Sequence, residues 1–160
     1  MSKTTEQKLQ EILDRAEIEE MFVSYFSGGL RQGFDKFFVA PFELDINGIV
    51  VHTFEETQEL YRKVMLDKPR LTGQFRMILS NHVIKIDGDT ATVELMWTQT
   101  LNDTVKGPPR LIEQGMEYDK LVRTPAGWRI KKRVVIADSG LPDLFDETYQ
   151  PRKGFNVSML

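Results

Sequence analysis

In the stretch NHVIKIDGDTATVELMW, residues 81–97, apolar and polar side chains alternate up to Asp87-Gly88-Asp89 and alternate again beyond it. Alternation at period two lines one face of a strand with apolar side chains, and an Asp-Gly pair between two such runs marks a tight turn. The stretch predicts a β-hairpin. Outward from it, the same period predicts four long strands, over 74–86, 90–101, 109–123 and 128–136. The turn at 87–89, a loop over 102–108 and a turn at 124–127 connect them.

Upstream the period changes to 3.6. Thr4 and Gln7 fit a capping box, and Leu9, Ile12, Leu13, Ala16, Ile18, Met21, Phe22, Tyr25 and Phe26 follow at helical spacing, with Gly28-Gly29 as the stop. Residues 34–39 read as a short apolar helical turn ended by Pro41, and 42–46 as a first strand that breaks at Asn47-Gly48 and resumes over 49–51. Thr53 and Glu56 cap a second helix, through Leu60, Tyr61 and Val64 to Leu66, before a loop over 67–73. Helices first and an antiparallel meander second predict an α+β fold. The sheet is expected to be curved, mostly antiparallel and wrapped around the helices, a cone-shaped barrel with an apolar pocket at its mouth. There are no repeats or linkers, so 1–160 reads as a single domain. Residues 139–160 form a C-terminal tail or lid, with Leu141, Leu144, Phe145 and Tyr149 its apolar set.

Composition narrows the function. The net charge of −3, with no basic run longer than Lys131-Lys132-Arg133, argues against a nucleic-acid partner. With no cysteine, disulfides, thiolate catalysis and Cys-based zinc sites are excluded. His52 and His82 do not make a metal-ligand spacing, so no metal is expected. No run approaches the roughly 18 apolar residues of a membrane span, and the start of the chain lacks the apolar core of a signal peptide. A soluble, cytoplasmic protein is expected. Gly28-Gly29 is not a phosphate loop, and Ser24 and Ser27 have no base in a recognisable relation.

The element order, with Tyr25 near the end of the first helix, Asn81 and Ile84 ahead of Asp87-Gly88-Asp89-Thr90-Ala91, and Gly127-Trp128-Arg129-Ile130 with Arg133, resembles the SnoaL-like branch of the NTF2-like (nuclear transport factor 2-like, cystatin-like) superfamily, related to scytalone dehydratase. These features span about residues 16–135. The chain departs from the dehydratases where their machinery sits. The position of their helix aspartate, five after the tyrosine, is Leu30; that of their histidine, four before Asn81, is Met77; and 99–102 offers no second histidine.

Register decides what faces the pocket. Phe75, Met77, Leu79 and Asn81 share one face, with His82 opposite; Asn81 reads either as a pocket amide or as a structural residue at a strand bend. Ala91, Val93, Leu95 and Trp97 share a face, leaving Glu94 outside and Trp97 as core or as a ligand platform. On the next strand, alternation alone turns Ile112, Gln114, Met116 and Tyr118 inward. The resemblance implies the opposite register: Glu113, Gly115 and Glu117 inside, and the Met/Tyr face against a second subunit of a homodimer. In that register burial raises the glutamate pKa values unless Arg133 answers them. The implied activity is that of a cofactor-independent lyase, isomerase or dehydratase moving a proton on a small apolar aromatic, polyketide-like or steroid-like molecule. Glu117, then Glu113 or Asp45, is the candidate base. Tyr25, Leu30, Met77, Asn81, Trp97, Arg133, Leu144 and Phe145 are candidate ligand contacts. The other reading is a non-catalytic ligand-binding or dimerisation module of the same fold.

Overall fold

The computed structural model describes residues 3–27, 33–66, 74–140 and 144–160. Leu30, the Gly28-Gly29 stop, the 67–73 loop and Leu141 lie outside the described residues. Helix α1 spans Thr5–Phe26, opened by the expected capping box of Thr4 and Gln7. Its buried residues are Asp14, Ile18, Phe22 and Tyr25. At 100° per residue these make one stripe, and Leu9, Ile12, Leu13 and Ala16 fall on the far side of the helix. Leu9, Ile12 and Leu13 are each more than half exposed, so the first half of the predicted apolar face points away from the core. Asp14 takes the inward position because both its oxygens accept from Arg123, at 2.7 Å each. Helix α2, Phe54–Leu66, starts at the Thr53–Glu56 box. The predicted helical turn at 34–39 is a 3-10 turn only over Phe34–Lys36.

From there the chain is already extended. Strand β1 covers Phe38–Ile46, four residues longer at its start than expected, and β2 covers Ile49–Val51. Between them Asn47 and Gly48 take φ of 51° and 89°, the left-handed pair that a two-residue hairpin turn requires. Strands β3 (Gln74–Asp87), β4 (Thr90–Asn102), β5 (Arg110–Thr124) and β6 (Gly127–Ser139) form the predicted meander. The order is β2-β1-β6-β5-β4-β3, all antiparallel except β1 beside β6, and the sheet stays open rather than closing into a barrel.

Register breaks bend this sheet. They fall between Ser80 and Val83, Gln99 and Thr100, Gln114 and Gly115, and Lys120 and Leu121. The helices cover its inner face, where Ile18, Phe22 and Tyr25 meet Leu44, Val93, Leu95, Leu121 and Ile130 in the main core. The tail divides. Leu144 and Phe145 pack on that main core, while Phe155, Val157 and Leu160 pack on the outer face over Tyr118, Val134 and Ile136. Much of the surface expected to meet a second subunit is thus covered by the chain's own last residues. No described helix is long and apolar enough to cross a membrane.

Candidate functional site

The inner face of β5 carries Glu113, Gly115, Glu117, Asp119 and Leu121, all buried. Met116 and Tyr118 belong to the outer cluster. The register implied by resemblance is therefore the one adopted, and simple apolar alternation misreads this strand. A bulge on β6 completes the arrangement. Lys120 pairs with Lys132 but Leu121 pairs with Ile130, so Lys131 is the extra residue and both Ile130 and Arg133 turn inward. Arg133 then sits directly opposite Asp119 in the β5–β6 ladder and beside Leu44 of β1.

Arg133 is 1% exposed and stands between two carboxyl groups. Its Nε donates to Asp119 Oδ1 at 2.7 Å, and its Nη2 lies 3.0 Å from Glu117 Oε1. The second contact is an ion contact off hydrogen-bonding geometry, and it leaves Nη2, Glu117 Oε1 and Asp119 Oδ2 without hydrogen-bond partners among the described residues. Aromatic rings enclose the guanidinium, with the Tyr25 centroid at 4.5 Å, Phe22 at 5.4 Å and Phe38 at 5.5 Å. Tyr25 Oη lies 3.3 Å from Tyr61 Oη of α2.

One cation cannot hold two buried carboxylates ionised. Burial pushes the Glu117 carboxyl well above the ordinary glutamate range; Arg133 pulls it down, but Asp119 alongside adds to the rise. Burial also raises Asp119, against the Arg133 charge and hydrogen bond. The two carboxyls interact, and Arg133, which also hydrogen-bonds Asp119 at 2.7 Å, opposes the rise by one more contact there than at Glu117. Burial likewise lifts both tyrosine hydroxyls, Tyr25 far above its usual range. The cluster is a proton donor and acceptor set in apolar surroundings.

Other expected residues distribute as follows. Trp97 is inward and 7% exposed, opposite Leu79 on one side and Gly115 on the other. Glu113 is inward one step up β5 from Gly115, across from Gln99, which itself pairs with Met77. Phe145 rests against Gly140, beside Glu113. Met77, Leu144 and Phe145 are half-buried at this end of the face. Two expectations are corrected. Asn81 does not join Phe75, Met77 and Leu79: it takes φ 55° in the β3 bulge, is exposed, and its Nδ2 donates to Met96 Sδ at 2.9 Å. The bulge sets Asn81 and His82 against Leu95 alone, one extra residue, so parity counted through it fails. Asp45 pairs with Val134, an outer-face residue, while its neighbour Leu44 pairs with the inward Arg133. Its Oδ1 accepts from Gly48 N at 2.9 Å and its Oδ2 meets Arg152 at 2.8 Å, so it fastens the β1–β2 turn and the tail.

Asp119 and Tyr61 are the residues that sequence reasoning missed. Asp119 has the same parity as Glu113 and Glu117, and three acids on one face of a strand was the available signal. Tyr61 was legible only as part of an apolar helical stripe. A surface groove between α1 and the β3–β4 turn, lined by Lys3, Gln10, Asp14, Asp89 and Arg123, is open and filled by mutual ion pairs. It lies away from the carboxyl cluster. Among the described residues no group of His, Asp and Glu is arranged to hold a metal ion.

With this geometry in view, likeness to other proteins can be placed. Residues 10–134 match the model of the SnoaL-like domain. Uncharacterized proteins of Mycobacterium tuberculosis and Mycobacterium bovis are 30% identical over 133 residues, covering 78% of this chain and 85% of theirs. Among solved structures, an NTF2-like protein with a cystatin-like fold from Novosphingobium aromaticivorans superposes with a TM-score of 0.65 at 23% identity, over 84% of this chain and 88% of that one. A protein of Kribbella flavida gives 0.64 at 22%, over 83% and 96%. A proposed dehydratase of the NTF2-like family from Streptomyces avermitilis gives 0.59 at 16%, over 77% and 95%.

Proposed function

The chain belongs to the SnoaL-like family of the NTF2-like superfamily, and from that premise we propose that it is a cofactor-independent lyase, isomerase or dehydratase. It moves a proton on a small apolar aromatic, polyketide-like or steroid-like molecule. The observation that carries this reading is the Glu117 carboxyl, buried beside Asp119 and Arg133 with its pKa pushed up. A carboxyl poised above its usual range is an effective general acid or base near neutrality. Glu117 exchanges the proton with substrate. Asp119 holds its charge partner Arg133 in place, and the Tyr25–Tyr61 hydroxyl pair, with Arg133 Nη2, faces developing negative charge on oxygen. Glu113, Trp97, Met77, Leu144 and Phe145 line the approach. The partner we propose besides the ligand is a second copy of the chain.

A second reading, a ligand-binding module without turnover, is favoured by Leu30 and Met77 at the positions where the related dehydratases carry acid and base. One experiment separates the two. In deuterated water, α-tetralone with the wild-type protein should exchange its α-protons faster than in buffer, followed by proton NMR. Glu117→Gln should lose that exchange. Binding of the ketone with no accelerated exchange would leave only the binding module.

A further inference from the structure

Trp97 is a large polar-edged side chain whose hydrogen-bonding group finds no acceptor among the described residues. Its Nε1–H is buried without an acceptor among the described residues, on an indole that is 7% exposed. Buried donors in folded proteins are nearly always paired, so a donor left over at a candidate site points to a ligand. The other indole, Trp128, shows the ordinary case, with Asp14 Oδ1 at 3.4 Å from its Nε1.

The surroundings specify what the ligand brings. Across the ladder, Trp97 is followed by Gly115 and then Ala137, so no side chain in the row beside the indole is larger than a methyl group. Gly115 is itself obligatory, because a Cβ there would come within 2.4 Å of the Ile136 carbonyl oxygen. Leu79 and Leu95 flank the ring on β3 and β4. Along β5 the next inward side chains on either side of Gly115 are Glu113 and Glu117, the latter about 7 Å on, two residues along the strand. An indole N–H donates and never accepts. The other buried polar atoms without a hydrogen bond, Glu117 Oε1 and Arg133 Nη2, meet each other as an ion pair one row away.

We propose that Trp97 Nε1–H is a ligand-positioning donor that holds the oxygen of a cyclic or aryl ketone on the inner face of the sheet. The carbon next to the carbonyl is brought toward the Glu117 carboxyl. This deepens the proton-transfer reading, and rests on it for the choice of a ketone as ligand.

The test uses the full-length protein labelled with ¹⁵N, whose two indole signals are Trp97 and Trp128. α-Tetralone and its hydrocarbon counterpart tetralin are titrated in parallel. The Trp97 N–H resonance should move downfield with the ketone and not with the hydrocarbon, while Trp128 stays in place. Trp97→Phe should weaken ketone binding roughly tenfold, the order expected for one lost hydrogen bond, and leave tetralin binding unchanged. Glu117→Gln should keep the indole shift while losing proton exchange, which separates this subsite from the catalytic reading. An indole shift in wild-type protein without exchange supports the subsite and removes the catalysis. A Trp97 signal unmoved by the ketone, one moved equally by both probes, or failure of either probe to bind overturns the proposal.

Discussion

Glu117, Asp119 and Arg133 carry one positive and up to two negative charges with almost no water contact. Glu117 has a folded pKa above the unfolded value of 4.5. Its contribution to stability is therefore fully present below that value and is lost as pH rises through the folded pKa, and Asp119, also raised, has the same sign. Glu117→Gln should then melt higher than wild type above neutral pH and alike at acid pH, while turnover falls about 10²- to 10⁴-fold. Thermal melts across pH check this, and an offset independent of pH would contradict it. Arg133→Met strands the buried carboxyls and should cost about 3–5 kcal/mol in denaturant unfolding. At this scale the sequence was half legible. Glu113, Glu117 and Arg133 could be named because a strand's parity fixes their face. Asp119 shares their parity but was not named, and its Arg133 partner, on another strand, explains its burial.

Secondary elements were legible where a local signal specified them. Both capping boxes, the Asn47-Gly48 turn and the Asp87-Gly88-Asp89 hairpin rest on contacts within a few residues. Bulges have no such signal, and each one reassigns every side chain beyond it. Asn81 moved out of the site that way, and Arg133 stays in it because Lys131 is the extra residue. The exposed stripe of α1 was misread for a related reason: apolar periodicity reveals that a helix has a face, not which of two faces meets the sheet. Gly115 gives the element-scale prediction. Gly115→Ala must displace the β6 backbone at Ile136 and Ala137, and should cost about 1–3 kcal/mol. Gly88→Ala, where nothing lies within 4 Å, should pay only the backbone strain of its φ of 58°. Unfolding midpoints of the two variants compare them directly.

For the molecule as a whole, the tail is the feature that sequence underdetermined. It was expected to act as a lid, and it serves both faces of the sheet. Asn47 Nδ2 donates to the Leu144 carbonyl at 2.9 Å, placing Leu144 and Phe145 on the inner core, and Arg152 meets Asp45 before Phe155, Val157 and Leu160 cross the outer face. Truncation after Gln150 should uncover Met116, Tyr118, Val134 and Ile136, and light scattering should show aggregates or larger species. An unchanged mass and melting temperature would make the outer contacts dispensable. The proposed homodimer must use what the tail leaves open, namely Ile78, Val83, Met96 and Leu111, all at least 40% exposed. Met96→Glu should yield monomer. If Leu13→Glu does so instead, the exposed stripe of α1 is the contact.

The proton-transfer role of Glu117 rests on a carboxyl whose titration burial displaces upward, and the most direct measurement is the titration of that carboxyl. Infrared difference spectra of wild type against Glu117→Gln, or carboxyl ¹³C NMR of the labelled protein, follow it residue by residue. The expected result is a protonated-carboxyl signal, absent from Glu117→Gln, that disappears only above the ordinary glutamate range. A Glu117 carboxyl that is ionised at pH 7 and titrates with the exposed glutamates, near 4.5, would contradict it.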